Sequence, residues 1–346
     1  MAASGSARLG ALRCLYLGNL SAGELHRAYA GLAEVRQTRD PPLLLLATAD
    51  SHLTIGAAQT AGAELCFNSC QRLKIPVVQR SLGGGTVWIE PAHLNYFLVA
   101  NQGSAFRRPR DLLEGFAPAF LAVHHHFGLA VQLVGKQDFS CGGRRIGSTG
   151  AATLGRSLVL GGSFLLSGGW TTFAEAIAAP SPGFRVWLQE AMAQSMTTWD
   201  AELGSAPPPG PVMERLYHEL AVLGWNTVES RPTDSEREAM ERVELETLDW
   251  TESAGRRVPH GIKVCQESFL TERQWDAEGN FLRIWTGNGR FRRIAGPAFP
   301  EELSEAIAGL PKDSPVLHRL LGRYLGWGPA AVWQERIRSL AVWTDI

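Results

Sequence analysis

Three consecutive glycines sit between two stretches that read as strands, in Gln79-Arg80-Ser81-Leu82-Gly83-Gly84-Gly85-Thr86-Val87. Glycine gives up more backbone freedom on folding than any other residue, so three in a row weaken any sheet they enter. What they permit is close approach. A ligand can lie directly on a backbone that has no Cβ atoms, and successive N–H groups form a nest for an anion. Arg80 adds a planar fork suited to phosphate or carboxylate. A flexible hairpin turn would explain the glycines equally well. The pattern is neither a Walker loop nor a dinucleotide fingerprint: no Gly-Lys-Ser/Thr follows, and the Gly-x-Gly-x-x-Gly spacing is absent.

Two further glycine-rich stretches follow. Gly135-Lys136-Gln137-Asp138 precedes Gly142-Gly143-Arg144-Arg145-Ile146-Gly147-Ser148-Thr149-Gly150. A Gly-Gly turn with two arginines is ordinarily a solvated hairpin. Leu160-Gly161-Gly162-Ser163-Phe164 places two glycines inside an apolar strand, where they signal close backbone approach.

Around these motifs, periodicity predicts a helix opening at Ser21 and running to about Glu34, and strands at 43–47 and 54–56. A helix over 63–73, strands at 75–79, 86–89 and 95–99, and a helix over 110–127 ending at Gly128 follow. Further strands are expected at 131–134, 139–141, 144–148 and 158–166. Strands and helices without regular alternation predict an α+β fold, a mixed or antiparallel central sheet flanked by helices. After the Pro207–Pro211 break and one more helix, residues 225–258 are charged and poor in large apolar side chains, which reads as a linker carrying one helix at 236–245. A meander and helices then form a small α+β module. The expected division is 1–224, a linker 225–258, and 259–346.

The formal net charge of −1, from 33 basic and 34 acidic residues, argues against a generic nucleic-acid binder. Only four of the basic residues are lysines: Lys74, Lys136, Lys263 and Lys312. The start of the chain lacks a secretory pattern, and the longest apolar run near it, 43–47, is far too short to span a bilayer. Five cysteines without repeating spacing are no disulfide framework, so a reducing cytoplasm is the expected compartment. Cys66 and Cys70 read as packing residues rather than a metal pair. His124, His125 and His126 read as a solvated helix end, and Trp170, Trp187, Trp199 and Trp225 as packing.

In this order the segments resemble the lipoate–protein ligase family, within the wider biotin/lipoate ligase superfamily. That family carries Arg-Arg-x-Ser-Gly-Gly-Gly-Ala-Val, then His-Asp-x-Gly-Asn-x-Asn, Asn-Asp, Gly-Arg-Lys-Ile-Ser-Gly and His-Gly-Thr. The matching stretches are 79–87, Ile89-Glu90-Pro91-Ala92-His93-Leu94-Asn95, Gln137-Asp138, Gly143-Arg144-Arg145-Ile146 and Gly161-Gly162-Ser163. Ile55-Gly56-Ala57-Ala58-Gln59, Ile75-Pro76-Val77-Val78 and the segment 195–203 extend the likeness to residues 15–224. His260-Gly261-Ile262-Lys263, the meander and the segment 300–307 resemble the family's small accessory domain.

The resemblance implies an ATP-dependent acid–amino-group ligase. It would activate lipoate or octanoate to an acyl-adenylate and acylate a lysine of a lipoyl domain, on a 2-oxoacid dehydrogenase subunit or a glycine-cleavage H protein. Carried over by position, Arg145 and Asp138 would be catalytic. Arg80, Gly83, Gly84, Gly85, Thr86, Asn95, Lys136, Ile146, Gly162 and Ser163 would bind substrate or adenylate. Asp138 would also hold Mg²⁺, and Lys263 would be the accessory domain's contribution. Departures from the pattern are Gln79 for an arginine, Leu82 for Ser/Thr, Ile89 for His, Glu90 for Asp, Ala92 for Gly and, above all, Arg145 for the family's lysine. Arginine keeps the cation and changes its shape. Two alternatives stand beside the ligase: a non-catalytic homologue that binds a lipoyl domain or acyl-adenylate, and an ATP-independent acyltransferase, for which Cys141 is the cysteine nearest the motifs. A biotin ligase is disfavoured because its Gly-Arg-Gly-Arg-like loop is missing.

Overall fold

The computed structural model describes residues 9–103, 105–135, 137–251, 256, 258–265, 267–276 and 279–342. The chain opens with β1 (Gly10–Leu20), α1 (Ala22–Val35), β2 (Leu43–Ala49), β3 (His52–Ile55), α2 (Ala61–Glu64), α3 (Phe67–Arg72), β4 (Val77–Gln79), β5 (Val87–Ile89) and β6 (Leu94–Asn101). It continues with α4 (Pro109–His126), β7 (Val131–Val134), β8 (Asp138–Cys141), β9 (Arg144–Leu154), β10 (Ser157–Phe164), α5 (Trp170–Ala176), α6 (Pro182–Ser195), α7 (Trp199–Leu203) and α8 (Pro209–Val222). Last come β11 (Trp225–Ser230), α9 (Asp234–Arg242), β12 (Gly261–Cys265), β13 (Ser268–Gln274), β14 (Phe281–Gly287), β15 (Arg290–Ala295), α10 (Glu301–Ile307), α11 (Pro315–Leu325) and α12 (Trp327–Leu340). No helix among the described residues is long and apolar enough to cross a membrane.

Contacts divide the chain into two compact units. The first comprises residues 1–61, 70–169 and 197–249. Its eight-stranded sheet has the order β11-β1-β2-β6-β10-β9-β8-β7. The pairs of β1 with β11 and β2 are parallel, and the others are antiparallel. This is the expected mixed sheet. Its middle strands β2 and β6 are buried at every position, which explains why they are apolar apart from Thr48, Asn95 and Asn101: both faces are covered. Leu44, Leu46, Tyr96, Leu98 and Leu160 point to the face packed by Phe116 and Phe120 of α4. Leu43, Leu45, Phe97, Val99 and Val159 point to the face packed by Leu25, Tyr29 and Leu32 of α1. At the start of α1, Ser21 and Glu24 form a capping box, which satisfies two N–H groups at the helix end.

Three expectations differ from the structure. Residues 63–73 do not form one helix. Leu65 bridges Ile177 and the Cys66 N–H donates to the Ala176 carbonyl, so long-range pairing takes over the backbone midway. The charged stretch after 225 holds the expected helix, as α9, but also adds an edge strand, β11, to the sheet. Arg13 of β1 donates to Ser230 at 2.7 Å and to Glu236 at 2.8 Å, so the charges are paired within the fold. α9 lies so close on α1 that a Cβ at Gly31 would overlap the Met240 backbone. His124 is not solvated. It is 3% exposed among Phe139, Phe164 and Trp199, and burial pushes its imidazole down to about 3.

The second unit comprises residues 62–69, 170–196 and 250–346. A four-stranded antiparallel sheet, β12-β13-β14-β15, supports α10, α11 and α12 over a core that includes Ile284, Phe291, Leu303, Leu317 and Ile337. The unit also takes in α5 and α6, which precede it by many residues. Arg283 of β14 supplies part of this contact. It lies 5.1 Å from the rings of both Trp187 and Phe281, pairs with Glu272 and donates to Ser181 at 3.0 Å.

Candidate functional site

The glycine loop is built by a strand order that the sequence conceals. β3 lies between β4 and β5, parallel to the first and antiparallel to the second. The connection from β4 to β5 must therefore cross the end of β3. Its contacts there are the Arg80 N–H to the Ile55 carbonyl and the Ala57 N–H to the Leu82 carbonyl, both 3.0 Å. A Cβ on Gly56 would overlap the Gly84 carbonyl oxygen, so the crossing needs glycine beneath it. Gly84 has φ +104°, a conformation that L side chains rarely adopt.

Arg80 lies inside this crossing, 7% exposed. Its guanidinium donates to the carbonyls of Thr54 at 3.2 Å, Gly83 at 2.9 Å and Gly85 at 2.7 Å. Burial lowers it to about 10, which leaves it a cation at neutral pH. The fork that the sequence suggested for a ligand is thus spent on the loop's own carbonyls. Among the described residues, no main-chain acceptor takes the N–H groups of Gly83, Gly84 or Gly85. The loop is anchored from the other side by Leu82, which is buried against the sheet at Gly161, and by the Tyr29 hydroxyl, which accepts the Ser81 N–H at 3.1 Å. The Thr86 hydroxyl is buried without a hydrogen-bond partner.

Sheet register decides which other residues share the loop's face, because paired residues lie on one side and successive residues alternate. Gly161 pairs with Phe97 and Gly150, Ser163 with Asn95, Asp138 with Ser148 and Arg145 with Ser140. Phe97 belongs to the α1 face, and the Gly83 carbonyl oxygen would lie 3.0 Å from a Cβ on Gly150. One face therefore carries Asn95, Gly150, Gly161, Ser163, Asp138 and Arg145, and the glycine loop lies over it at Gly150 and Gly161.

Arg145 reaches that face through a β-bulge. Phe139 pairs with Gly147 and the next residue, Ser140, with Arg145, so Ile146 is an extra residue in β9. Counting by twos from Gly150 without a bulge would have brought Arg144 to this face. Ile146 is fully buried in the opposite core with Phe139 and Cys141. Gly162 also belongs to that opposite face, where a Cβ would overlap the Tyr96 hydroxyl. Both are packing positions here, away from the loop. Burial raises the pKa of Cys141, helped by the charge of Glu202, which disfavours a thiolate nucleophile.

The polar groups of the loop's face are fixed in part. Asn95 is 1% exposed, donates to the Ala47 carbonyl at 3.3 Å and accepts from the Ser163 hydroxyl at 2.7 Å. Asp138 is 4% exposed, and its Oδ1 has no partner. A single carboxylate with an open oxygen fits Mg²⁺, which binds through one or two carboxylates while keeping waters and substrate phosphates. No cluster of three or more His, Cys, Asp or Glu that could hold a metal occurs among the described residues. Lys136 lies outside the described residues. Lys263 is half-buried on β12 of the second unit, paired with Phe269.

Two networks were not visible as networks in the sequence, although Glu90 and His93 stand in one of its motif-like stretches. At the turn before Asn95, Glu90 accepts from the Ser167 hydroxyl at 2.8 Å and from Trp88 Nε1 at 3.2 Å, and His93 lies 3.4 Å away. His93, then Ser167, hold the Glu90 carboxyl down to about 2. Under the loop, His26 and His52 face each other at 3.3 Å, and His52 Nδ1 lies 2.6 Å from the Asp50 carbonyl.

The model for the lipoyl protein ligase A/B catalytic domain matches residues 26–221. A curated lipoate–protein ligase from Streptococcus pyogenes is 30% identical over 127 residues, which are 37% of this chain and 36% of that protein. The chain thus matches about a third of that relative's length. The bipartite lipoate protein ligase of Thermoplasma acidophilum, whose structural study includes its E2 lipoyl domain, shares the fold with a TM-score of 0.61. It is 17% identical, and the match covers 67% of this chain and 91% of that one. LipL1 of Plasmodium falciparum, solved in complex with lipoate, aligns with a TM-score of 0.54 at 12% identity, over 95% of this chain and 99% of its own.

Proposed function

Because the chain belongs to the lipoyl protein ligase A/B catalytic-domain family, we propose that it activates lipoate or octanoate with ATP and acylates a lysine of a lipoyl domain. In the first step a carboxylate oxygen of the acid attacks the α-phosphorus, and pyrophosphate leaves. In the second, the lysine amine attacks the carbonyl of the acyl-adenylate and AMP leaves. Both steps bring anionic oxygens together, and their barrier falls when fixed donors hold them in place.

The observation that carries this reading is the sharing of one sheet face by Arg145, Asp138 and the glycine loop. On this reading the loop's N–H groups receive the α-phosphate, and Arg145 supplies the cation that the family draws from lysine. Because that lysine is a cation rather than a nucleophile, arginine can keep the charge while presenting it in a planar fork. Arg80 shapes the loop from beneath instead of touching phosphate. Asn95 and Ser163 line the acyl side, and Thr86 offers its hydroxyl at the loop's end. Asp138 would hold Mg²⁺, which when bound offsets phosphate charge. Lys136 would act beside Asp138, and Lys263 would be contributed from the C-terminal module, residues 259–346, as an accessory domain to the catalytic domain 1–224. The raised pKa of Cys141 disfavours ATP-independent transfer through it, and the lack of a disulfide at any of the five cysteines supports a reducing, cytoplasmic setting.

Lipoate- or octanoate-dependent exchange of pyrophosphate into ATP tests the reading directly. Exchange that requires the acid, and is lost in Arg145→Met, is expected. No acid-dependent exchange, together with tight binding of a lipoyl domain, would establish the non-catalytic homologue instead.

A further inference from the structure

Two chemically identical cations, Arg144 and Arg145, lie next to each other on opposite faces of β9, and a single carboxylate touches the arrangement twice. Oε1 of Glu202, on α7, accepts from Arg144 at 2.6 Å and from the Thr197 hydroxyl at 2.6 Å. The Thr197 backbone N–H in turn donates to the Arg145 carbonyl at 2.9 Å, in the place where β10 no longer pairs with β9. The segment carrying these groups is rigidly seated. Trp199 is fully buried, and the N–H groups of Trp199 and Asp200 donate to the Leu165 and Leu166 carbonyls at 3.0 Å each. Arg144 pairs with Cys141, on the face away from the glycine loop, and Glu202 lies on that side.

A one-residue slip of register exchanges every side chain between the two faces of a strand. At a bulge such a slip needs only local rearrangement, and here it would replace Arg145 by Arg144 on the face that carries the loop. We propose that Glu202 is the positioning residue that settles this choice: it binds Arg144 on the far face and, through Thr197, holds the Arg145 main chain so that Arg145 alone serves the acyl-phosphate site. The inference rests on the adenylating reading above for the role of Arg145. The placement itself rests on the contacts of Glu202.

The test uses the full chain and acid-dependent pyrophosphate exchange. Glu202→Ala lowers kcat about tenfold or more, while KM for lipoate stays within about threefold, because the lost interaction acts on the transition state and not on acid binding. Glu202→Gln, which keeps an acceptor for Thr197, falls between. If Glu202→Ala folds poorly, Thr197→Val removes one of the two contacts with little change in volume, and about threefold in kcat is expected. Adding Arg144→Gln to Glu202→Ala restores most of the loss, since no competing cation is left; a merely structural carboxylate would not be rescued in this way. Independently of turnover, hydrogen exchange of the Thr197 amide accelerates in Glu202→Ala. Wild-type kcat in Glu202→Ala, absence of rescue in the double variant, or unchanged exchange at Thr197 would each overturn the inference. Should the wild-type chain itself catalyse no exchange, the adenylating reading fails on its own. Octanoyl-sulfamoyl-adenosine then replaces the assay: weaker binding by Glu202→Ala with recovery in the double variant supports the positioning role, and equal binding by all three proteins refutes it.

Discussion

Replacing Arg80 by methionine tests whether this cation is a fastener of the glycine loop. The structure allows the cost to be worked out. Three carbonyl oxygens lose a charged donor, each such bond being worth about 1.5–3 kcal/mol. The losses do not simply add. Gly84 and Gly85 are exposed and Gly83 is half-buried, so their carbonyls can turn toward water once released. The Thr54 carbonyl belongs to a buried residue and stays stranded, at about 1–3 kcal/mol. Against this, methionine fills similar volume and spares the cost of burying a guanidinium. The net destabilisation is then about 2–4 kcal/mol, read as a fall in the urea midpoint at unchanged slope. Hydrogen exchange at residues 83–86 should accelerate beyond that global loss, because the loop opens locally before the sheet does. Arg80→Lys, which keeps the cation but loses the planar fork, should fall between. Stability within about 0.5 kcal/mol of the wild type, with unchanged loop exchange, would refute the fastening role.

Other expectations follow from the same contacts. Gly56→Ala places a methyl group into the Gly84 carbonyl, so the loop must lift; KM for ATP should rise by about tenfold or more and the urea midpoint should fall, because the overlapped atom is backbone, and an unchanged KM would count against the crossing geometry. Cys141→Ala should retain at least about half of the wild-type exchange rate, whereas abolished activity would reinstate a thiol mechanism. Burial lowers the pKa of both His26 and His124, the latter to about 3, so the unfolded chain binds these protons more readily. Their stabilisation is complete above the unfolded value near 6.5 and is lost as pH falls from there toward the folded values, at up to about 1.4 kcal/mol per pH unit for each group. Urea midpoints between pH 7 and 5 should show that slope, and His124→Gln should reduce it. Glu90 runs at lower pH: its carboxyl is held down to about 2, so its contribution is present above about 4.5 and disappears between there and 2. Glu90→Gln should remove that limb of the acid denaturation curve.

Much of the fold was legible because its signals are local. The Ser21–Glu24 capping box announces α1, the apolar runs 43–47 and 96–100 announce β2 and β6, and Gly56 with the three loop glycines marks a place where backbones meet. Net charge, the four lysines and the collinear motifs belong to the chain alone, and they sufficed to suggest the family. Other features exist only between segments. The capture of residues 170–196 by the second unit includes Arg283 and Arg293 meeting Trp187, about a hundred residues earlier. The burial of His124 depends on Phe164 and Trp199 closing over it. The clearest case is at Arg144 and Arg145. Strand alternation assigns faces only relative to a register, and a bulge is a property of two paired strands, invisible in either one. The sequence by itself determined that a cation would stand in this stretch of β9. The pairing of Ser140 with Arg145 across the bulge, and the grip of Glu202 on Arg144, decided which of the two it would be.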